Sequence, residues 1–206
     1  MAITSNIDKI VNWFQTAVCP HIQLKVPDDY VNDGSYGFEI TTPTAFAMYV
    51  PTKDKKPPDV KAPIPSICVQ VLKGKDSPAQ HMGKMTIQLA IAAWNPGVHG
   101  SEKAKPISAS DALGGYFYTK EKNEEFERSY EGWRDVWNFT DMVVAALENT
   151  EYIADMRLVK ENDIEYGPFT EDGAIMNYYP YWFSWVQFTL EYGLARKIPD
   201  AYKDFL

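Results

Sequence analysis

Histidine, cysteine and paired carboxylates are the side chains with which this chain could do chemistry, and their spacing decides what kind. The three histidines, His21, His81 and His99, lie beside expected turns or loops, and none stands at metal-ligand spacing with the two cysteines, Cys19 and Cys68. A zinc site needs ligands placed so that one or two local elements close a tetrahedron. No metal ligand is assigned. The sequence holds no GxSxG elbow, no HExxH helix and no glycine-rich phosphate loop, and the isolated pair Gly114 and Gly115 reads as a hinge. Asp28 and Asp29 follow Pro27 in a turn context, while Glu124 and Glu125 belong to a charge run of the solvated kind. A glycosidase acid and nucleophile could be assembled in three dimensions from any two carboxylates, but no spacing singles out a pair. Cys68 alternates to the face opposite Ile67 and Val69 and reads as a buried, inert thiol. No catalytic residue and no cofactor is assigned. The expectation is a protein that works by binding and assembling, not an enzyme.

Composition narrows the partners. The 206 residues carry a formal net charge of -8, and no basic cluster exceeds Lys53, Lys55 and Lys56, so a broad phosphate-binding face has no source. Sequence-specific nucleic-acid binding is not expected. An acidic or neutral lining could still let DNA slide through an assembly. Two cysteines and the absence of a signal-peptide pattern point to a reducing compartment. No apolar run approaches the roughly 20 residues that span a bilayer, so a soluble protein with no membrane partner is expected.

The elements that must position these residues follow from periodicity. Ser5 with Asp8 resembles a capping box, and Ile7, Ile10, Val11, Phe14, Ala17 and Val18 recur at helical spacing, which predicts a helix over 6–18 stopped near Pro20. Residues 36–50 read as one or two strands broken at Pro43. The proline-rich stretch 51–65 reads as an extended, exposed loop. Ile67, Val69 and Val71, then Met85, Ile87, Leu89, Ile91 and Ala93, alternate as two strands of a hairpin joined by a polar turn through Gly74, Asp76 and Pro78. The second strand ends at the turn Trp94-Asn95-Pro96-Gly97.

Residues 98–130 are a long excursion of mixed character. Beyond it, 132–149 is the strongest helix, with Trp133, Val136, Trp137, Thr140, Val143, Val144 and Leu147 on a wide face. Two final strands are expected, the last with Val186, Phe188 and Leu190 facing inward. The block order gives an α+β class, a small mixed or antiparallel sheet packed against two main helices, in one domain over 1–206 with long loops near 51–65 and 98–130.

Tyr178, Tyr179, Tyr181, Trp182, Phe183 and Trp185 crowd the start of the last strand, more than one face of one strand can bury. Some must meet a partner. Tyr and Trp are enriched where surfaces become buried on association, so Tyr179, Tyr181, Phe183 and Trp185 form the candidate subunit interface. A carbohydrate or base-stacking platform is the other use of such a cluster, and the basic frame that nucleic acid needs is missing.

Three segments carry a family resemblance: Ala92-Ala93-Trp94-Asn95-Pro96-Gly97, then Gly132-Trp133-Arg134-Asp135-Val136-Trp137-Asn138-Phe139 entering a helix that ends at Leu147-Glu148-Asn149, and Tyr179-Pro180-Tyr181-Trp182. In these the chain resembles the tail terminator and tail-completion proteins of phages and prophages of Gram-positive bacteria. The resemblance covers roughly half of the chain. It implies helices packed on a small mixed sheet and subunits closed into a hexameric ring that caps the tail tube and joins the head connector. The implied partners are other copies of the chain, the tail tube protein and the head–tail connector protein, with DNA passing through the ring. The implied location is the virion tail, assembled in the host bacterial cytoplasm. Another head–tail connector or tail-assembly protein is the alternative, and a carbohydrate-binding module or enzyme ranks third. The chain is longer than simple tail terminators, the excess matching the two long loops.

Overall fold

The computed structural model describes residues 3–27, 38–96, 104–106, 116–118 and 130–194. Helix α1 (Ile3–Trp13) runs into a single π turn, Phe14–Val18, and a 3-10 turn, Cys19–His21. Strands β1 (Leu24–Pro27) and β2 (Phe38–Thr41) pair as an antiparallel ribbon. Next come β3 (Thr44–Ala47), β4 (Ser66–Ser77) and β5 (Met82–Trp94), followed by the short antiparallel pair β6 (Ala104–Pro106) and β7 (Tyr116–Tyr118). Helix α2 (Trp133–Glu148) precedes β8 (Tyr152–Ile153), β9 (Met156–Leu158), β10 (Glu165–Pro168), β11 (Thr170–Glu171), β12 (Ala174–Ile175) and β13 (Tyr181–Gly193).

The seven-stranded main sheet has the order β3-β4-β5-β13-β9-β8, with β10 also bordering β13. All its pairings are antiparallel except β3 with β4. The class is therefore α+β with a mostly antiparallel, mixed sheet. Its spine is the full-length pairing of β5 with β13, from Tyr181 opposite Trp94 to Gly193 opposite Met82. Alternation puts Met85, Ile87, Leu89 and Ile91 on the same face as Val186, Phe188 and Leu190, all buried. Each such side chain contributes about 1.5–3 kcal/mol by leaving water. Both helices cover this face: Ile10 from the first, with Phe14 from the π turn that continues it, and Val136, Phe139, Val143 and Leu147 from the second. A buried hydroxyl pair, Thr140 Oγ1 and Ser184 Oγ at 2.6 Å, joins α2 to β13 inside this apolar layer. No helix among the described residues is long and apolar enough to cross a membrane.

Several boundaries differ from the sequence expectation. The first helix begins at Ile3, so Ser5 and Asp8 lie inside it; a hydroxyl is tolerated in a first turn whose N–H groups lack intrahelical acceptors anyway. Strand β4 continues to Ser77, and the turn is the short Pro78–Gln80 helix with His81 at φ 51°. The extension was hidden because a bulge at Leu72, between Val71 and Lys73, breaks the alternation, and Leu72 to Lys75 are exposed on both faces while Lys73 to Lys75 stay paired with β5. Trp133 is 40% exposed with the Arg134 guanidinium 4.6 Å from its ring, because the first turn of α2 sits beside Asn95, past the end of β5. Loop 51–65 holds no strand, but it is not extended throughout: a 3-10 turn forms at Lys53–Lys55, and Val60 and Pro65 are buried. Six strands follow α2 where two were expected; pieces of two to four residues are too short to show a period. Most of 98–130 lies outside the described residues.

On the sheet face away from the helices, an ion cluster crosses three strands. Glu191 accepts from Lys84 Nζ at 2.7 Å and from Arg157 Nη2 at 2.7 Å, and its side chain is 12% exposed. The bond from Lys84, then that from Arg157, hold the Glu191 carboxyl below the ordinary value of 4.5. A carboxyl depressed by folding stabilises above its unfolded pKa, and that contribution is lost as pH falls through the folded value. Glu191→Gln is therefore expected to lower stability at pH 7 and to flatten its decline below about pH 4.5, the ordinary carboxyl value, as read by urea unfolding across pH. An unchanged pH slope would dismiss the cluster as a source of stability. Asn6 offers a second test. Its side chain is fully buried in α1, and both amide atoms lack a hydrogen-bond partner among the described residues. Replacing it with the similarly sized Leu removes that desolvation cost, so Asn6→Leu is expected to raise stability by about 1–3 kcal/mol in denaturant unfolding.

Candidate functional site

Asn95 follows the last residue of β5 and is fully buried, as are Lys25 of β1 and Asp135 in the first turn of α2. A buried cation and a buried carboxylate each need partners, and an amide can serve both because it accepts through oxygen and donates through nitrogen. The Lys25 ammonium donates to Asn95 Oδ1 at 3.2 Å, and Asn95 Nδ2 donates to Asp135 Oδ2 at 2.7 Å. Lys25 also lies 5.2 Å from the Phe38 ring centre, where the ring face attracts a cation. Asp135 is placed where a helix N-terminus favours negative charge.

The backbone of Asn95 is used as fully as its side chain. Its N–H donates to the Pro180 carbonyl at 3.0 Å, and its carbonyl accepts from Trp182 Nε1 at 2.9 Å. The next carbonyl, of Pro96, accepts from the Tyr179 hydroxyl at 2.7 Å. Gly132 closes the packing: a Cβ there would lie 2.1 Å from the Asn95 carbonyl oxygen and 2.6 Å from Trp182 Nε1. One residue thus ties together β1, β5, α2 and the turn that opens β13. These contacts use the three segments Trp94-Asn95-Pro96, Gly132 to Asp135 and Tyr179 to Trp182.

Above this knot lies an open groove of about 780 Å³. One wall is Tyr178, Tyr181 and Phe183; the other comes from the proline loop, including Val50, Pro51, Pro63 and Ile64. Val26, Pro27 and Glu39 of the ribbon contribute as well. Phe183 meets Tyr178 edge to face, with ring centres 6.1 Å apart. Glu39, the carboxylate among the described lining residues, forms an ion pair with Lys61 across the groove.

The four aromatics assigned to an interface fall into three environments. Tyr181, 37% exposed, and Phe183 line the groove. Tyr179 is held by Pro96 and stacks edge-on with Trp182 at 6.2 Å. Trp185 is on the face away from the helices but half-buried, its indole N–H donating to the Pro168 carbonyl at 3.0 Å and its ring lying against Gly167. Lys25 escaped sequence reading because one lysine in a short strand ordinarily points to water, and nothing local marks it as buried.

No family model, no curated protein and no solved structure matches the chain. The chemistry must therefore be read from the geometry. Lys25 and Asp135 are 2% and 1% exposed, so they cannot meet a substrate and act to hold elements in place. Burial pushes the thiols up, Cys19 to about 12 and Cys68 to about 11, which leaves both protonated at neutral pH. Among the described residues no group of His, Cys, Asp or Glu could hold a metal ion.

Gly132→Ala is expected to cost about 1–3 kcal/mol, because the added methyl forces the Asn95 backbone and the Trp182 ring apart. Asn95→Ala should cost about 1–3 kcal/mol by stripping bonds from buried charges. Since both act on one knot, the double variant should lose less than the sum in urea titrations. Strict additivity would show that the two positions do not share a network.

Proposed function

We infer that this chain is a structural subunit of a phage or phage-tail-like particle, in its most concrete form a tail terminator. It forms a ring that caps the tail tube and joins it to the head connector. One observation carries the reading: residues of the proline loop 51–65 and Tyr178, Tyr181 and Phe183 of the aromatic segment line one open groove. An aromatic surface kept open by proline-stiffened walls loses little entropy when a partner docks, and Tyr and Trp are the residues that make such contacts strong.

The polar knot supports the same reading. The segments that carry the resemblance are those gathered at Asn95, and they set the position of Tyr178 and Tyr181 at the groove mouth. A ring made of identical neighbours uses one patch of each subunit against a different patch of the next. The partners in this reading are further copies of the chain, the tail tube protein and the head connector, and the location is the virion tail. The same groove also serves another head–tail connector or tail-assembly protein.

Light scattering behind size-exclusion chromatography, from dilute to concentrated protein, tests the reading. The native chain is expected to form a discrete oligomer, alone or with tube protein, and addition to elongating tube protein should halt growth. Tyr181→Ala combined with Phe183→Ala should raise the half-assembly concentration at least tenfold, about 1.4 kcal/mol per interface, while leaving the unfolding midpoint nearly unchanged. A chain that stays monomeric under every condition overturns the proposal. Oligomers that bind tube ends without stopping growth favour the connector alternative.

A further inference from the structure

Among the described residues the main sheet has open edges at β3, at β8, at β10 and along the distal half of β4, and the last two carry opposite charge. Strand β3 covers β4 only along Ser66–Val69, and beyond the bulge at Leu72 no described strand borders β4 on the side away from β5. Leu72, Lys73, Gly74 and Lys75 are exposed there. On the far side of the sheet, β10 borders β13 through Glu165 to Pro168, and no described strand lies on its other side. Unpaired strand edges present a row of N–H and C=O groups ready to pair with another chain.

Resting on the ring reading above, the geometry points to a sheet that continues from copy to copy: the open edge of β4 in one subunit pairs with the open edge of β10 in the next. Topology makes this pairing antiparallel, because β4 runs against β5, β5 against β13, and β13 against β10. The same translation of strand directions from copy to copy then sets β10 against the next β4. Antiparallel pairs tolerate short strands and need no crossover.

Charge selects this partner over others. The ladders place Lys73 level with Thr86 and Thr189, Lys75 level with Lys84 and Glu191, and Glu165 level with Gln187. All three therefore share the face away from the helices. Among the described residues no salt bridge engages Lys73, Lys75, Asp163 or Glu165. Pairing β4 with β4, or β10 with β10, would set like charges opposite each other and would close a two-fold dimer. Pairing β4 with β10 neutralises both edges and runs head to tail, as a ring requires. Leu72, 51% exposed at the bulge, and Tyr166, 55% exposed on β10, add apolar area to the two edges. The free part of β4 lies level with the end of β13 and β10 with its beginning, an offset of roughly 15 Å at about 3.4 Å per residue. Strands tilted to a ring axis close with such a stagger.

Charge reversal tests the pairing with the full chain. Lys73→Glu with Lys75→Glu, and separately Asp163→Lys with Glu165→Lys, should each raise the half-assembly concentration at least tenfold in light scattering, with the thermal midpoint nearly unchanged. An equimolar mixture of the two variants should assemble again, because each meets a complementary edge, and so should one chain carrying all four changes. Native-like assembly of either variant alone, or no recovery in the mixture and the combined chain, overturns the edge pairing. It leaves the ring reading intact if the native chain still forms its oligomer. A native chain that is monomeric even with tube protein removes both.

Discussion

Asn95 sits where water cannot reach, between a lysine and an aspartate that could not be buried there without it. A charge taken from water into a protein interior costs several kcal/mol unless hydrogen bonds replace the lost hydration. The amide meets that demand in both directions, and its backbone takes up the Trp182 indole and the Pro180 carbonyl as well. The strand end, helix start, ribbon and turn must therefore all be in place before any one of them is satisfied. Such a network selects one arrangement of its parts more than it adds stability, since an apolar cluster of the same volume could serve stability equally well.

From this constraint follows the stiffness of the surface above it. The turn at Tyr179 and Pro180 is fixed by two hydrogen bonds to Asn95 and Pro96, and the exposed aromatics of the groove begin within one residue of that turn. The opposing wall is held differently, by buried Val60 and Pro65 and by the Glu39 to Lys61 ion pair. A groove braced from both sides keeps one shape, which is what the proposed docking needs. Less of the contact energy is then lost to ordering.

Much of the sheet was legible in the sequence. The central strands β5 and β13 alternate cleanly because one face meets two helices and the other carries Thr, Gln and an ion cluster, so each position has one clear environment. Helix α2 was legible for the same reason, through Val136, Thr140, Val143 and Leu147. The bulged half of β4 was not, since a strand exposed on both faces has no pattern to read. Trp133 misled because helical phase says which way a side chain points but not whether the sheet extends far enough to cover it. Trp185 kept the predicted face, yet its contact with Gly167 and Pro168 depends on a four-residue strand below the length that shows a period.

Local pattern thus determined the α+β class, the existence of the central strands, their inward residues and the crowding of aromatics at the start of β13, whereas the pairing of β13 with β5 came from the tertiary structure. Local pattern reaches that far because period and burial are properties of a few neighbouring residues. The joining of Lys25, Asn95 and Asp135, and the meeting of the proline loop with the aromatic turn, were decided only by the tertiary structure. Those residues stand 40 to 70 positions apart in the bonds that link them, and no local pattern records which distant charge will be brought to which amide.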